Sequence, residues 1–559
     1  MSRLELTSPK KADLVMEDLY KDLERRIESS PPGLCPVDMA RAFLELCHAQ
    51  TCGKCVPCRI GLGQLNSFIK DVLDGKATMK TLEIMEQTAL SIMESADCAI
   101  GYEAAKMVYR GLIGYRDDYV EHIQNGRCTC SYSQPVPCVS LCPAHVDIPG
   151  YVALVGEGRY ADAIRLIRKD NPFPTTCGFI CEHPCEARCR RNMMDDAINI
   201  RGLKRVAADF AGEVDPPACA PSTGKKIAVL GGGPGGLSAA YYLQLMGHQT
   251  TVYEMLPKLG GMLRYGIPNY RLPKDRLEDD VNAILKTGVE VKHGLKIGPD
   301  ITIQQLQKEY DAVLITIGAS TDKKLGLDGE DAEGIFSAVQ FLRNVGKNII
   351  MDLTGKEVAV IGGGNVTMDA VRTAKRLGAK KVSVVYRRRI ADMTALPSEI
   401  EGAIAEGIEV QTLKAPAALD VDENNHVKGI YVTPQMISSI KDGRASIKPT
   451  GEEDVYIPCD VLVVAIGQNI ETRHFEEAGI PVSRGKIVTK SNGSIENLPG
   501  VFAGGDCASG PASVIKAIAA AKVTAANIDE YLGYRHEISC DVEIPEARLD
   551  DRTPCGRVN

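Results

Sequence analysis

Apolar positions follow helical spacing through the first 125 residues and form short unbroken runs beyond residue 225, so the chain changes character along its length. Residues 11–28, 38–48 and 67–99 carry apolar side chains three and four apart, which predicts a mainly α-helical opening segment. Residues 151–169 show the same period and predict one further helix. Residues 227–230 are a brief apolar run ending in glycine, the pattern of a strand buried on both faces of a parallel sheet. Similar runs return at 311–318, 357–361, 381–386 and 461–468, and their alternation with helical stretches predicts an α/β back half.

Two glycine-rich turns sit where such strands end. Gly231, Gly233 and Gly236 have the G-x-G-x-x-G spacing, and Pro234 and Gly235 lead into a helix. The first glycine allows the tight turn, the second lets backbone approach a pyrophosphate, and the third lets helix and strand pack closely. The helix N-terminus then turns free N–H groups and a positive dipole end toward the phosphates. Glu254 closes the next strand 23 residues after Gly231, where a carboxylate accepts hydrogen bonds from a ribose.

The second turn has Gly362 and Gly364 followed by Asn365 and Val366, but Thr367 replaces the third glycine, which predicts a wider helix–strand spacing. Its second strand ends in Arg387, Arg388 and Arg389 rather than an acid. A guanidinium there forks onto a 2′-phosphate, so this site is predicted to favour NADP(H) over NAD(H), against the plainer reading of a solvated basic turn. Residues 260–274, GGMLRYGIPNYRLPK, hold too many glycines and prolines for a helix and predict a loop. Gly261, Arg264 and Arg271 in it are candidates to meet phosphate or the flavin edge, with ordinary surface charge as the alternative for either arginine.

Composition narrows the picture. With 559 residues, 44% hydrophobic and 25% charged, the chain is expected to hold about three or four soluble domains. A net charge of −8 gives no reason to expect nucleic acid or an anionic membrane as partner. No apolar run approaches the roughly 18 residues of a spanning helix, and the first residues lack a signal-peptide core, so a cytoplasmic location is expected. In that compartment 19 cysteines, 15 of them before residue 220, point to metal or redox chemistry rather than disulfides.

Cys52, Cys55 and Cys58 lie at C-x2-C-x2-C spacing with Cys98 far behind. Three thiolates on a glycine-containing loop plus one distant thiolate suit a [4Fe–4S] cube, whereas a structural zinc site more often uses two separated pairs. Cys35 and Cys47 have no partner spacing and are expected in the core. A second block holds Cys128, Cys130, Cys138 and Cys142, then Cys181, Cys185 and Cys189 at every fourth position. That is enough thiolate for two clusters, making about three in all. Residues 215–224 are Pro-rich and predict a linker, in which Cys219 is incidental.

The first segment resembles the C-terminal cluster domain of the flavin-carrying subunit of complex I and of related hydrogenase subunits, through TCGKCVPCR and its later fourth cysteine. The NADH-binding body of that family has no counterpart here, so the resemblance implies a cluster-bearing relay or docking domain. From about residue 126 to 535 the chain resembles the glutamate synthase small subunit and the equivalent regions of dihydropyrimidine dehydrogenase and of the NADH-dependent reduced ferredoxin:NADP+ oxidoreductase large subunit. The motifs that carry this are GGMLRYGIPNYRLPK, GGGNVTMDAVRTAKRLG with VVYRRR, and GVFAGGD at 500–506.

The resemblance implies one cluster on Cys138 and Cys189 with Cys128 or Cys130, and another on Cys142, Cys181 and Cys185. The last ligand of the second stays open between Cys177, another group and none, because Lys204 stands where the family has Gln or Glu, and an ammonium has no lone pair. It implies FAD and NADP(H) as cofactors, with Gly505 and Asp506 meeting the ribityl chain and Gly318 and Gly467 marking crossings between nucleotide domains. The implied order is helical cluster domains at 1–125 and 126–220, a doubly wound FAD-binding domain split into 221–335 and 470–535, an inserted NADPH-binding domain at 336–469, and a tail at 536–559.

Hydride transfer between NADPH and flavin needs no acid or base, so no catalytic side chain is assigned. The expected function is the NADP(H)-handling subunit of a multi-subunit transhydrogenase-type complex with flavin-based bifurcation. Its expected partners are a complex I- or hydrogenase-like NADH- and FMN-binding subunit, further iron–sulfur subunits, and ferredoxin. The alternatives are the small subunit of an NADPH-dependent glutamate synthase and a non-catalytic electron-relay scaffold.

Overall fold

The computed structural model describes residues 35–126, 136–187, 189–193, 196–347, 349, 351–441 and 444–545, with scattered positions of a helix between residues 12 and 23. It divides into two compact units, Met1–Cys142 with His183–Ile200, and Pro143–Glu182 with Arg201–Asn559.

The first unit is helical. Pro36–Ala49 buries Val37, Ala40, Phe43, Leu44 and Cys47 along one face, and Ala99–Gly114 packs against it through Ala104, Ala105, Val108 and Leu112. The periodic stretch expected at 67–99 is two helices, Leu62–Leu73 and Met79–Ser95; Thr78 precedes the second and exchanges hydrogen bonds with Thr81 as a capping box. Arg116–Asn125 completes the bundle and ends at Gly126 in left-handed conformation.

The second unit carries two parallel sheets. In the first the strand order is Val501–Ala503, Ala312–Ile315, Lys226–Leu230, Gln249–Glu254, Glu290–His293. In the second it is Ile335–Ser337, Val461–Val464, Glu357–Ile361, Lys381–Tyr386, Glu409–Thr412. The first sheet recruits its last strand from beyond the second, so one doubly wound domain is inserted into another. Since Ile335 already pairs within the second sheet, the inserted domain begins slightly ahead of residue 336. The two crossings are tied together: Thr321–Asp322 pairs antiparallel with Gln468–Asn469.

Three features depart from the sequence expectation. The helix expected over 151–169 is two, Ile148–Gly156 and Tyr160–Asp170, because Gly158 takes a φ of +74° and breaks the run. The loop at 260–274 contains one helical turn, Met262–Tyr265, and Lys274 opens the helix Lys274–Leu285. A four-stranded antiparallel sheet over Lys414–Val421, Val427–Lys441, Arg444–Pro449 and Val455–Pro458 was not anticipated. Among the described residues no helix is long and apolar enough to cross a membrane.

Candidate nucleotide and cluster sites

The first turn depends on its glycines. Gly231 bends with φ +111°, and its N–H donates to Tyr253 O at 2.8 Å. A Cβ added at Gly236 would collide with the Gly231 carbonyl oxygen, so only glycine lets the helix Pro234–Leu245 seat against its strand. A Cβ at Gly261 would stand 2.8 Å from Gly233 Cα, so two glycines allow two backbone segments to close together.

A cleft opens above the turn. Gly231, Gly233, Pro234 and Gly235 line it from the turn, Glu254 and Gly261 from the flanks, and Gly318, Gly505 and Asp506 from the crossing and the last strand. A second lobe runs past Glu254 toward Lys296, Ile297, His474 and Phe475. Glu254 is 5% exposed and accepts N–H groups from Gly232 at 2.7 Å and Leu256 at 2.8 Å. Burial pushes its carboxyl above the ordinary value while those bonds pull it back. Burial likewise pushes Asp506 up to about 6, opposed by the Ala512 N–H. Backbone donors, small residues and two lobes on either side of a carboxylate fit a flavin dinucleotide.

Arg264 does not line this cleft. Its Nε donates to Leu259 O at 2.5 Å and its Nη2 pairs with Glu278 at 2.6 Å, so it braces the loop from inside. Lys274 braces the same loop, donating to Leu263 O at 3.1 Å and Ile267 O at 2.6 Å; burial, with nearby Arg264, pushes it down to about 8. Arg343, which no motif marks, is the arginine that reaches the cleft. It comes from the helix Ala338–Gly346 of the inserted domain, and only the fold brings it there.

In the second turn Thr367 is fully buried and its Oγ1 accepts the Gly364 N–H at 3.3 Å. A hydroxyl thus takes the place of close backbone approach. Gly364 caps the helix Asn365–Arg376, which Asn365 and Val366 open. The Asn365 amide accepts the Leu396 N–H at 2.9 Å and donates to Glu182 at 3.0 Å. Arg387 is exposed and makes no ion pair among the described residues, and Arg388 beside it is half-buried. Arg389 is committed to Asp392, at 2.8 and 2.9 Å. A helix N-terminus with two arginines after the second strand fits a 2′-phosphorylated nucleotide. Gly467 lies beside the Lys323 side chain at the crossing ribbon and does not line the flavin cleft.

In the first unit Cys52 is exposed, Cys55 and Cys98 are half-buried, and Cys58 is buried within the π-helical turn Pro57–Gly61. Cys98 stands at the N-cap of Ala99–Gly114, where a Cβ on Gly101 would come within 2.6 Å of Cys58 Sγ. Burial pushes Cys58 up to about 12, and the charges of Cys55, Cys98 and Cys52 add to it, so all four thiols share one neighbourhood. Among the described residues no three of them converge within 4.8 Å. Four thiols gathered around one loop fit the ligand set of a four-iron cube. Cys47 is fully buried as expected, and Cys35 lies 3.3 Å from His122 Nε2.

Cys138 and Cys142 flank the short helix Pro137–Leu141, which packs against Pro184–Ala187 carrying Cys185. Burial pushes Cys138 up to about 11, and Cys189 and Cys142 add to it. Cys189 accepts the Ile198 N–H at 3.4 Å. Cys128 and Cys130 lie outside the described residues. In the second unit Cys181 is 8% exposed and its carbonyl accepts from Arg201 at 3.1 Å. Cys177 is fully buried at 4.0 Å from Asn171 Oδ1, and Lys204 lies over the Tyr151 ring at 5.8 Å.

Residues 225–521 match the pyridine nucleotide-disulphide oxidoreductase family. The chain belongs to that family. Residues 38–122 match the NADH-ubiquinone oxidoreductase-F iron-sulfur binding region, and 115–215 match dihydropyrimidine dehydrogenase domain II, 4Fe-4S cluster. This pyridine nucleotide-disulphide oxidoreductase is 34% identical to the NADP(+)-dependent formate dehydrogenase subunit beta of Moorella thermoacetica, over 88% of this chain and 79% of that one. It is 33% identical to the NADPH-Fe(3+) oxidoreductase subunit beta of Geobacter sulfurreducens, over 90% and 79%. It is 32% identical to the glutamate synthase [NADPH] small chain of Escherichia coli, over 71% and 88%. It is thus an oxidoreductase whose cofactors are FAD, NADP(H) and [4Fe–4S] clusters.

Proposed function

We propose that this chain is the NADP(H)-handling, FAD- and cluster-bearing subunit of a multi-subunit oxidoreductase, and that the whole complex is a transhydrogenase coupling NADP(H) to NAD and ferredoxin by flavin-based bifurcation. The observation that carries the core of this reading is the insertion of one glycine-turn domain into another, on a chain that also holds the Cys52, Cys55, Cys58 and Cys98 loop. When bound, the nicotinamide and flavin supply two-electron exchange and the clusters supply single-electron transfer.

The chain's own residues bind and orient. The turn at Gly231, Gly233 and Gly236 seats the flavin diphosphate and Glu254 takes its ribose. Gly362 and Gly364 seat the second nucleotide, and Arg387 and Arg388 hold its 2′-phosphate. The cluster ligands are Cys52, Cys55, Cys58 and Cys98 for one centre, with Cys138, Cys142, Cys185 and Cys189 supplying further thiolates in the same unit.

Relatives named as beta subunits of an NADP(+)-dependent formate dehydrogenase and an NADPH-Fe(3+) oxidoreductase support membership in a complex, and the matches to them span 88% and 90% of this chain. Likeness to the glutamate synthase small chain spans only 71%, which favours the complex reading over a glutamate synthase role. Gentle purification of the native complex tests it. An NADH- and FMN-binding partner is expected. A partner with an amidotransferase and an FMN barrel would overturn the transhydrogenase reading in favour of glutamate synthase, and a formate-oxidising partner would also overturn it while leaving the subunit's role intact.

A further inference from the structure

The cleft assigned to flavin has an unbalanced charge. In the lobe above the glycine turn the lining includes the carboxylates of Glu254 and Asp506, and Arg343 is the one cationic side chain among the described residues there. Arg264, which the motif marks as the obvious candidate, is spent on Glu278. Arg343 donates one terminal N–H to Ser320 O at 2.8 Å, just ahead of the crossing strand Thr321–Asp322, and that bond fixes the direction of its guanidinium. Its Nε is buried and has no hydrogen-bond partner. Unmade guanidinium N–H bonds are costly, and an arginine that lines a ligand cleft calls for an anionic acceptor there.

We propose that Arg343 binds the diphosphate of FAD, so that the inserted domain contributes a ligand to the cofactor of the domain it interrupts. This rests on the flavin reading of the cleft. Guanidinium N–H donors match phosphate oxygens, and the Ser320 bond leaves the second terminal nitrogen for that purpose. The turn at Gly233 supplies neutral backbone donors, and Arg343 supplies the countercharge they lack. Holding FAD thereby also holds the helix Ala338–Gly346, so flavin loading steadies the placement of the inserted domain.

The test uses the full chain stripped of flavin, with wild type, Arg343→Lys and Arg343→Met titrated with FAD by fluorescence quenching. The midpoint potential of the bound flavin is then measured at saturating FAD. Arg343→Met is expected to weaken FAD binding about 10- to 100-fold with the potential unchanged, and Arg343→Lys, a point charge without the fork, is expected to fall between. Unchanged affinity in both variants overturns the proposal. A shifted potential at unchanged affinity also overturns it, because the arginine would then face the ring. If Arg343→Met does not fold, the Arg343→Lys affinity decides alone: weaker binding supports the assignment and equal binding removes it. A wild-type chain that takes up no FAD would instead refute the flavin reading itself.

Discussion

Arg271 Nη1 lies 2.9 Å from each carboxylate oxygen of Asp369, joining the segment after the first nucleotide turn to the helix that opens the second. The side chains are 12% and 6% exposed, and the contact is part of a wider net. Arg271 also reaches Glu399 at 3.2 Å, which Arg372 meets at 2.7 Å, and Tyr270 lies beneath Arg376 at 4.0 Å. The two nucleotide domains are therefore held by buried charge as well as by the crossing ribbon. Removing one partner of such a pair strands the other.

Arg271→Ala should cost about 3–5 kcal/mol of stability in denaturant unfolding, whereas the double change of Arg271 and Asp369 to Leu should recover most of it. The pH dependence has a definite sign. Burial raises Asp369 from 3.8 to about 6, with Arg271 opposing, so its protonated form is favoured in the fold and its own contribution is lost as pH rises through about 6. In Arg271→Ala the stranded carboxylate needs no counterion once protonated. The penalty should be smaller at pH 5 than at pH 8, and a penalty independent of pH would count against the pair.

Arg387 and Arg388 carry the coenzyme choice in the proposed function. Replacing both with Ser should raise the NADPH KM about 10- to 100-fold and leave the NADH KM nearly unchanged, read as anaerobic flavin reduction. Arg389→Ser should move neither coenzyme selectively, because that side chain is already bound to Asp392. Equal loss with both coenzymes would assign the pair a structural role.

Gly236→Ala places a methyl against the Gly231 carbonyl oxygen and should lower stability by about 1–3 kcal/mol or more, with loss of bound flavin. Thr367→Gly at the equivalent place in the second turn should not improve packing, because the Thr367 hydroxyl already satisfies the Gly364 N–H. Melting curves with and without FAD compare the two.

His248 is fully buried and lies 2.9 Å from Asp529, which also receives His536 at 2.9 Å. Burial holds the His248 pKa below 6.5 although Asp529 pulls it upward. Its folded-state pKa is thus depressed, and the stability it contributes is present above about 6.5 and declines as pH falls. The decline should not exceed about 1.4 kcal/mol per pH unit for this one proton, and His248→Gln should flatten it. An unchanged acid limb in that variant would remove His248 as the cause.

The turns were legible because a fixed spacing carries their chemistry: Gly231, Gly233 and Gly236 set the bend between one strand and the helix that follows it, so spacing alone predicts the shape. Arg264 was misleading for the opposite reason. It sits in a specific motif, but Glu278 on the following helix captures it, and no local pattern reveals that. Arg343 was invisible because its nearness to the cleft depends on where the inserted domain docks. The split at Gly158 escaped notice because apolar spacing continues across it, and the sheet over 414–458 because its strands are largely half-exposed and mix polar with apolar positions.

The most direct measurement is an anaerobic titration of the purified chain with NADPH, followed by flavin absorbance at about 450 nm and by electron paramagnetic resonance of the clusters. Bleaching of the flavin followed by signals of reduced [4Fe–4S] centres is the expected result. A chain that holds flavin and iron but passes no electrons from NADPH to either would contradict it.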